Sequence, residues 1–167
     1  MRAMSVRIRV DGRSNAARTG RSLVLRYATR MMRALELDGH ELSILLCDDA
    51  VMRKLNREYR DIDRPTDVLA FAMREGPGSF VSARDDLLGD VAISWPTAVR
   101  QARDHGWAPE QEVCMLLAHG LLHVLGFDHV TRAEDRRMRA RTDLLMMAAL
   151  RVGRPVDKPG SRRAPLT

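Results

Sequence analysis

Three of the chain's five histidines fall within eleven residues, in the segment His119-Gly-Leu-Leu-His123-Val-Leu-Gly126-Phe-Asp-His129. His119 and His123 are four apart, so on a helix both imidazoles leave the same face, about 6 Å apart along the axis. Two ring nitrogens so placed can share one zinc ion. Gly126 lets the chain leave the helix through a left-handed turn. That reversal can bring His129 back over the same face as a third ligand. Three neutral imidazoles on Zn2+ leave a fourth tetrahedral position to water, which is a catalytic rather than a structural arrangement. Two histidines at this spacing, alone, would read as unrelated core or surface residues. Burying three in otherwise apolar sequence without a partner would be costly, so a metal site is expected.

The spacing matches the HExxHxxGxxH pattern of zinc proteases with one departure: Gly120 stands where those enzymes carry their glutamate base. A metal centre is expected and peptide hydrolysis is demoted. Glu112, two helical turns before His119 and roughly 10 Å away along the axis, is too distant to ligate from an intact helix. It reads equally as a residue behind the ligands or as a surface acid. Asp128 could orient a ligand's free N–H, although a turn residue is the plainer reading.

Elements must hold that face in place. Met4, Val6, Ile8 and Val10 alternate with polar residues as in a strand with one wet face. After a turn-rich stretch over residues 11–20, helical spacing runs from Arg21 to Leu37, and Gly39 ends it. Glu41 to Cys47 reads as a strand, and Asp48 or Asp49 caps a short helix carrying Val51, Met52 and Leu55. Residues 57–65 read as a polar loop, Thr66 to Met73 as a strand, residues 75–86 as a Gly/Ser/Asp loop, and Leu87 to Ser94 as a strand. Pro96 and Pro109 open helices ending near His105-Gly106 and Gly126, and a last helix covers Arg132 to Leu150. The expected architecture is α+β: a small mixed four-stranded sheet packed with about five helices, as one domain over residues 1–150. The basic tail, 151–167, has no apolar period and is expected to be disordered, with at most non-specific affinity for RNA.

The 167 residues are 45% hydrophobic and 30% charged, which supports a folded core and excludes a wholly disordered chain. The longest apolar run, Leu144 to Leu150, has seven residues against the roughly 20 of a membrane span, so no membrane association is expected. The N-terminal segment lacks the apolar stretch of a secretory signal. Cys47 and Cys114 read as reduced core thiols of a cytoplasmic protein. Net charge is +8 over residues 1–35, −6 over 36–150 and +4 over 151–167. Basic flanks suggest a polyanionic partner such as RNA or DNA, although 26 of the 28 basic residues are Arg, which base composition can also produce.

The segment HGLLHVLGFDH resembles the HGxLHxxGxDH signature of the YbeY family of bacterial endoribonucleases. Asn56, Tyr59-Arg60, Asp63 and the run Pro65 to Phe71 resemble the family's second block, and Leu88 to Ser94 its third. The resemblance covers roughly residues 40–150. It implies zinc on His119, His123 and His129, and a role in maturing the 3′ end of 16S rRNA and in late ribosome quality control. It also implies ribosomal RNA and the small subunit or its assembly factors as partners, and an activity-bearing arginine at Arg60. The family tends to carry a glutamate near Thr142, where the nearest acid here is Asp143, so no role is assigned there.

Phosphodiester cleavage needs a Lewis acid, stabilisation of the phosphorane's added charge, and proton transfers. Zinc supplies the first and lowers its water's pKa to about 7. Arg60 suits the second, because a guanidinium matches phosphate oxygens as a fork. His119 and Arg60 are thus the candidate catalytic residues. Proton transfer has no evident owner. Thr66 and Asp67 read equally as cleft residues or loop caps. His40 and His105 are explained by helix-end dipoles. Trp95, Trp107, Phe71, Phe127 and the Met146-Met147 pair are expected in the core. A rival reading is a ribosome-assembly binding factor whose metal is mainly structural.

Overall fold

Apolar side chains recur at every second position in four segments and at every third or fourth in five others, and the chain folds accordingly. A computed structural model describes residues 3–73, 86–128 and 130–151. In chain order the elements are β1 (Ser5–Val10), α1 (Asn15–Ala34), β2 (Glu41–Cys47), α2 (Asp49–Arg60), β3 (Val68–Ala72), β4 (Leu87–Ser94), α3 (Trp95–His105), α4 (Pro109–Val124) and α5 (Arg132–Leu150). This is the expected α+β class with a mixed sheet. The expected tail beyond Arg151, and most of the expected loop 75–86, lie outside the described residues.

The strand order is β1-β2-β4-β3, with β1, β2 and β4 parallel and β3 antiparallel on the edge beside β4. Helices α1, α3 and α4 cover one face, and α5 packs outside α1 and α4. The main core lies there, from Val24, Met31 and Met32 through Ile44 and Ile93 to Leu117 and Leu121. Helix α2 covers part of the other face, over Leu45, Cys47, Leu69 and Ala92. Burial pushes both thiols, Cys47 and Cys114, up to about 12, so they stay protonated inside their clusters. No helix among the described residues is long and apolar enough to cross a membrane.

Three local expectations need correction. Helix α1 begins at Asn15 rather than Arg21, with Ser14 capping it by accepting from the Ala17 N–H at 3.1 Å. Gly20 reads as a turn residue, yet it is buried in this helix because a Cβ there would fall 2.1 Å from the Trp95 ring. Residues 57–60 are the last turn of α2, which stops where Asp61 takes a left-handed φ of 57°. On α5 only a narrow stripe, Met138, Thr142, Leu145 and Ala149, is buried, so Met147 is 66% exposed instead of lying in the core.

Two aspartates orient α2, the helix that ends in Arg60. Asp48 caps it, accepting from the Val51 N–H at 2.9 Å and from the Arg13 N–H at 2.8 Å. Gly12 allows the close approach: at φ 92°, a Cβ there would sit 2.4 Å from the Asp48 carboxylate. Asp49 accepts from Ser94 and Thr97 at 2.6 Å and from Arg100 at 2.7 Å, tying the start of α2 to the start of α3. The Arg13 and Val51 N–H groups hold the Asp48 carboxyl below its ordinary range. A depressed folded pKa contributes stability above the unfolded value, and that stability is lost as pH falls through the folded one. Asp48→Ala is therefore expected to cost about 1–2 kcal/mol at neutral pH. The gap to wild type should narrow as pH falls from about 4 towards 2. Denaturant titrations at both ends of that range check this, and a constant gap would contradict it.

Candidate metal centre

Helix α4 is apolar nearly all round because it is clamped between the sheet and the other helices, with ten of its sixteen residues buried. His119 and His123 leave it along a half-open strip. Their Nε2 atoms are 3.1 Å apart and their rings meet edge to face, centroids 4.6 Å apart. Two nitrogens bound at 2.0–2.1 Å to one tetrahedral ion would stand about 3.3 Å apart. The pair therefore needs only a small opening to take a cation between its tips, and imidazole suits zinc. Past His123 the helix closes with the Gly126 N–H on the His123 carbonyl at 2.9 Å and the Phe127 N–H on the Leu122 carbonyl at 3.0 Å. Gly126 takes φ 94°, the expected left-handed exit. His129, the expected third ligand, lies outside the described residues. Among the described residues no group of three or more His, Cys, Asp or Glu side chains converges as a metal site.

Edge strand β3 forms the opposite wall. A cleft of about 310 Å3 is lined by His119, Gly120 and His123 from α4, by Asp67 to Ala70 and by Arg60. Arg60 reaches it from the end of α2, donating from Nη2 to the Ala70 carbonyl at 3.2 Å with its guanidinium 4.9 Å from the Phe71 ring centre. Those contacts use a fraction of its five N–H donors. Buried Asn56 donates to the Arg64 carbonyl at 2.8 Å, and Asp63 accepts from Arg53 at 2.9 and 3.1 Å, so the loop after Arg60 is tied back onto α2. Asp67 caps β3, accepting from the Val68 N–H at 2.7 Å and from Thr66, and it also lines the cleft. Both readings of Asp67 hold together.

Gly120 sets how deep the histidines sit. A Cβ there would lie 2.7 Å from one Val91 methyl and 3.3 Å from the other, and 3.3 Å from a Val68 methyl. A glutamate has no room at that position, which gives a physical reason for the departure from the protease pattern.

With this geometry in hand, known proteins can be compared. A family model described as "Endoribonuclease YbeY" matches residues 10–149. The chain belongs to the YbeY family. The endoribonuclease YbeY of Moorella thermoacetica is 48% identical over 110 residues, 64% of this chain and 70% of the relative. That of Anaeromyxobacter dehalogenans is 43% identical over 155 residues, 89% of this chain and 77% of the relative. Among solved structures, TM1509 from Thermotoga maritima shares the fold, with a TM-score of 0.59 and 21% identity over 86% of this chain and 88% of that one.

Other sequence candidates fall away from the YbeY cleft. Glu112 is neither a surface acid nor behind the ligands: it is fully buried, accepting from Trp107 Nε1 at 2.6 Å and meeting His105 Nδ1 at 2.8 Å. It braces the α3–α4 connection, which explains His105 better than a helix dipole does and draws Trp107 to the surface rather than the core. Trp95 and Phe71 are buried as expected, Phe127 is partly buried under the Arg141 guanidinium, and Asp128 is exposed at the turn. Sequence reasoning missed Asp90, a buried carboxylate on β4; the available signal was a lone acid inside the apolar run Leu87 to Ser94. Gly120→Ala is expected to lower stability by about 1–3 kcal/mol, although alanine favours helix, because the methyl overpacks against Val91. Thermal unfolding checks this, and a stabilised variant would show that the helix–sheet distance is not set there.

Proposed function

We propose that this protein is a zinc-dependent, single-strand-specific endoribonuclease that matures the 3′ end of 16S rRNA and acts in late ribosome quality control. Membership of the family supports the endoribonuclease class. One observation carries the metal-dependent part: two Nε2 atoms 3.1 Å apart face the Arg60 guanidinium across one cleft. His119 and His123, with His129 as third ligand, would hold the ion. Bound zinc supplies Lewis acidity and a water of lowered pKa.

The chain's own residues do the rest. Arg60, braced by the Ala70 carbonyl and the Phe71 ring, keeps donors for the non-bridging oxygens of a phosphodiester as negative charge builds on them. Val68, Leu69 and Ala70 form an apolar wall that limits water around the reacting group. Gly120 leaves no base for peptide hydrolysis. The helix that carries the ligands is packed on all sides by protein, which argues against a metal whose main task is structural. The proposed setting is the cytoplasm, with ribosomal RNA and the small subunit or its assembly factors as partners.

Purified variants test this through zinc content and cleavage of single-stranded RNA. His119→Ala and His123→Ala are expected to lose zinc and cleavage while keeping a folded circular-dichroism spectrum. Arg60→Ala is expected to keep zinc and lose about 100-fold or more in kcat. Full cleavage with zinc absent would overturn the proposal, as would an unaffected Arg60→Ala.

A further inference from the structure

The two faces of β3 lead to different places. Ala70 lines the histidine cleft, whereas its neighbour Phe71 lines a second cavity, of about 250 Å3, on the sheet face that α2 leaves partly open. Arg60 belongs to both, touching the Ala70 carbonyl and standing over the Phe71 ring. Sheet register sets out the floor of this second cavity: Phe71 opposes Asp90, Asp90 opposes Ser43, and Ser43 opposes Arg7. At a strand spacing of about 4.8 Å the row spans about 14 Å, starting at the cleft edge.

Asp90 is the unusual member. It is 8% exposed, and its Oδ2 finds no hydrogen-bond partner among the described residues. The other carboxylate oxygen takes the Ser43 hydroxyl, and burial pushes the carboxyl above its ordinary range. A buried acceptor without a donor is costly, so this pocket is shaped for a ligand N–H. The charges at its mouth select among ligands. Arg7, Arg9 and Arg60 surround it, and Arg7 is engaged by Glu41 at 3.1 Å. A cationic side chain from a protein partner would be repelled there. A nucleotide meets both demands, since its base amine is a neutral donor and its phosphate is an anion. Oδ2 is closed to bulk water in the free protein, and rotation of the long, exposed Arg9 side chain is the simplest way to open it.

We infer that this pocket is a nucleotide subsite, in which Asp90 Oδ2 accepts from the exocyclic amine of cytosine or adenine while Arg9 holds a neighbouring phosphate. It rests on the nuclease reading and deepens it: RNA would cross the β3 edge from the histidine cleft onto the open sheet face, and the enzyme would read one base there. Uracil offers a carbonyl where cytosine offers its amine, so the site discriminates between them.

Amide chemical-shift mapping of the full chain with the 5′-monophosphates of cytidine, adenosine and uridine is the test. Cytidine and adenosine monophosphate are expected to move the Ser43, Phe71 and Asp90 amides, with uridine monophosphate bound about fivefold or more weakly. Asp90→Asn, an isosteric change, is expected to abolish or reverse that preference. Arg9→Ala should weaken all three nucleotides alike, and it keeps the test alive should Asp90→Asn not fold. Equal affinities, or shifts confined to the histidine cleft, would overturn the inference. An Arg-rich peptide that moves these amides when nucleotides do not would assign the pocket to a protein and also overturn it. RNA cleavage that depends on His119 yet ignores Asp90 would sink this subsite alone. Base-selective binding without any cleavage would support the subsite and sink the nuclease reading.

Discussion

The depth at which α4 presses into the sheet is the constraint on which the rest depends. Gly120 lets the helix backbone approach Val91 and Val68 to a distance at which any side chain would collide. That approach brings the next positions out along the helix, His119 and His123, against edge strand β3 rather than into solvent. It also makes the cleft narrow enough for Arg60, arriving from another helix on the other face, to reach the same space. The glycine that removes the protease base is therefore the residue that builds this cleft.

Arg60 owes its position to contacts far from the cleft. Asp48 and Asp49 anchor the first turn of α2, Asn56 and Asp63 tie down the loop that follows it, and the Phe71 ring supports the guanidinium. An arginine on a polar loop would lose much side-chain entropy on meeting a phosphate. One standing on an aromatic ring at a helix end has part of that freedom removed beforehand, which is how a preorganised donor stabilises charge.

Much of this was legible in the sequence, and the omissions share a cause. Spacing alone placed both imidazoles on one helical face, because helical period is local. Alternation marked all four strands for the same reason. Gly20, Glu112 and Met147 were misread because their roles are set by tertiary neighbours: the Trp95 ring, the His105 and Trp107 donors, and the absence of any element over the outer face of α5 among the described residues. Strand order was out of reach, since no local pattern says which strand takes the edge. The meeting of Arg60 with the histidines depends on that order. Only because β3 is an edge strand can a side chain from the α2 face reach the α4 face around it.

The most direct test is a crystal structure of the zinc-loaded protein with the metal located by its anomalous scattering. The account predicts one peak about 2.0–2.1 Å from both His119 Nε2 and His123 Nε2, with the Arg60 guanidinium across the same cleft. A peak bound to only one of these histidines, or zinc held elsewhere on the chain, would contradict it.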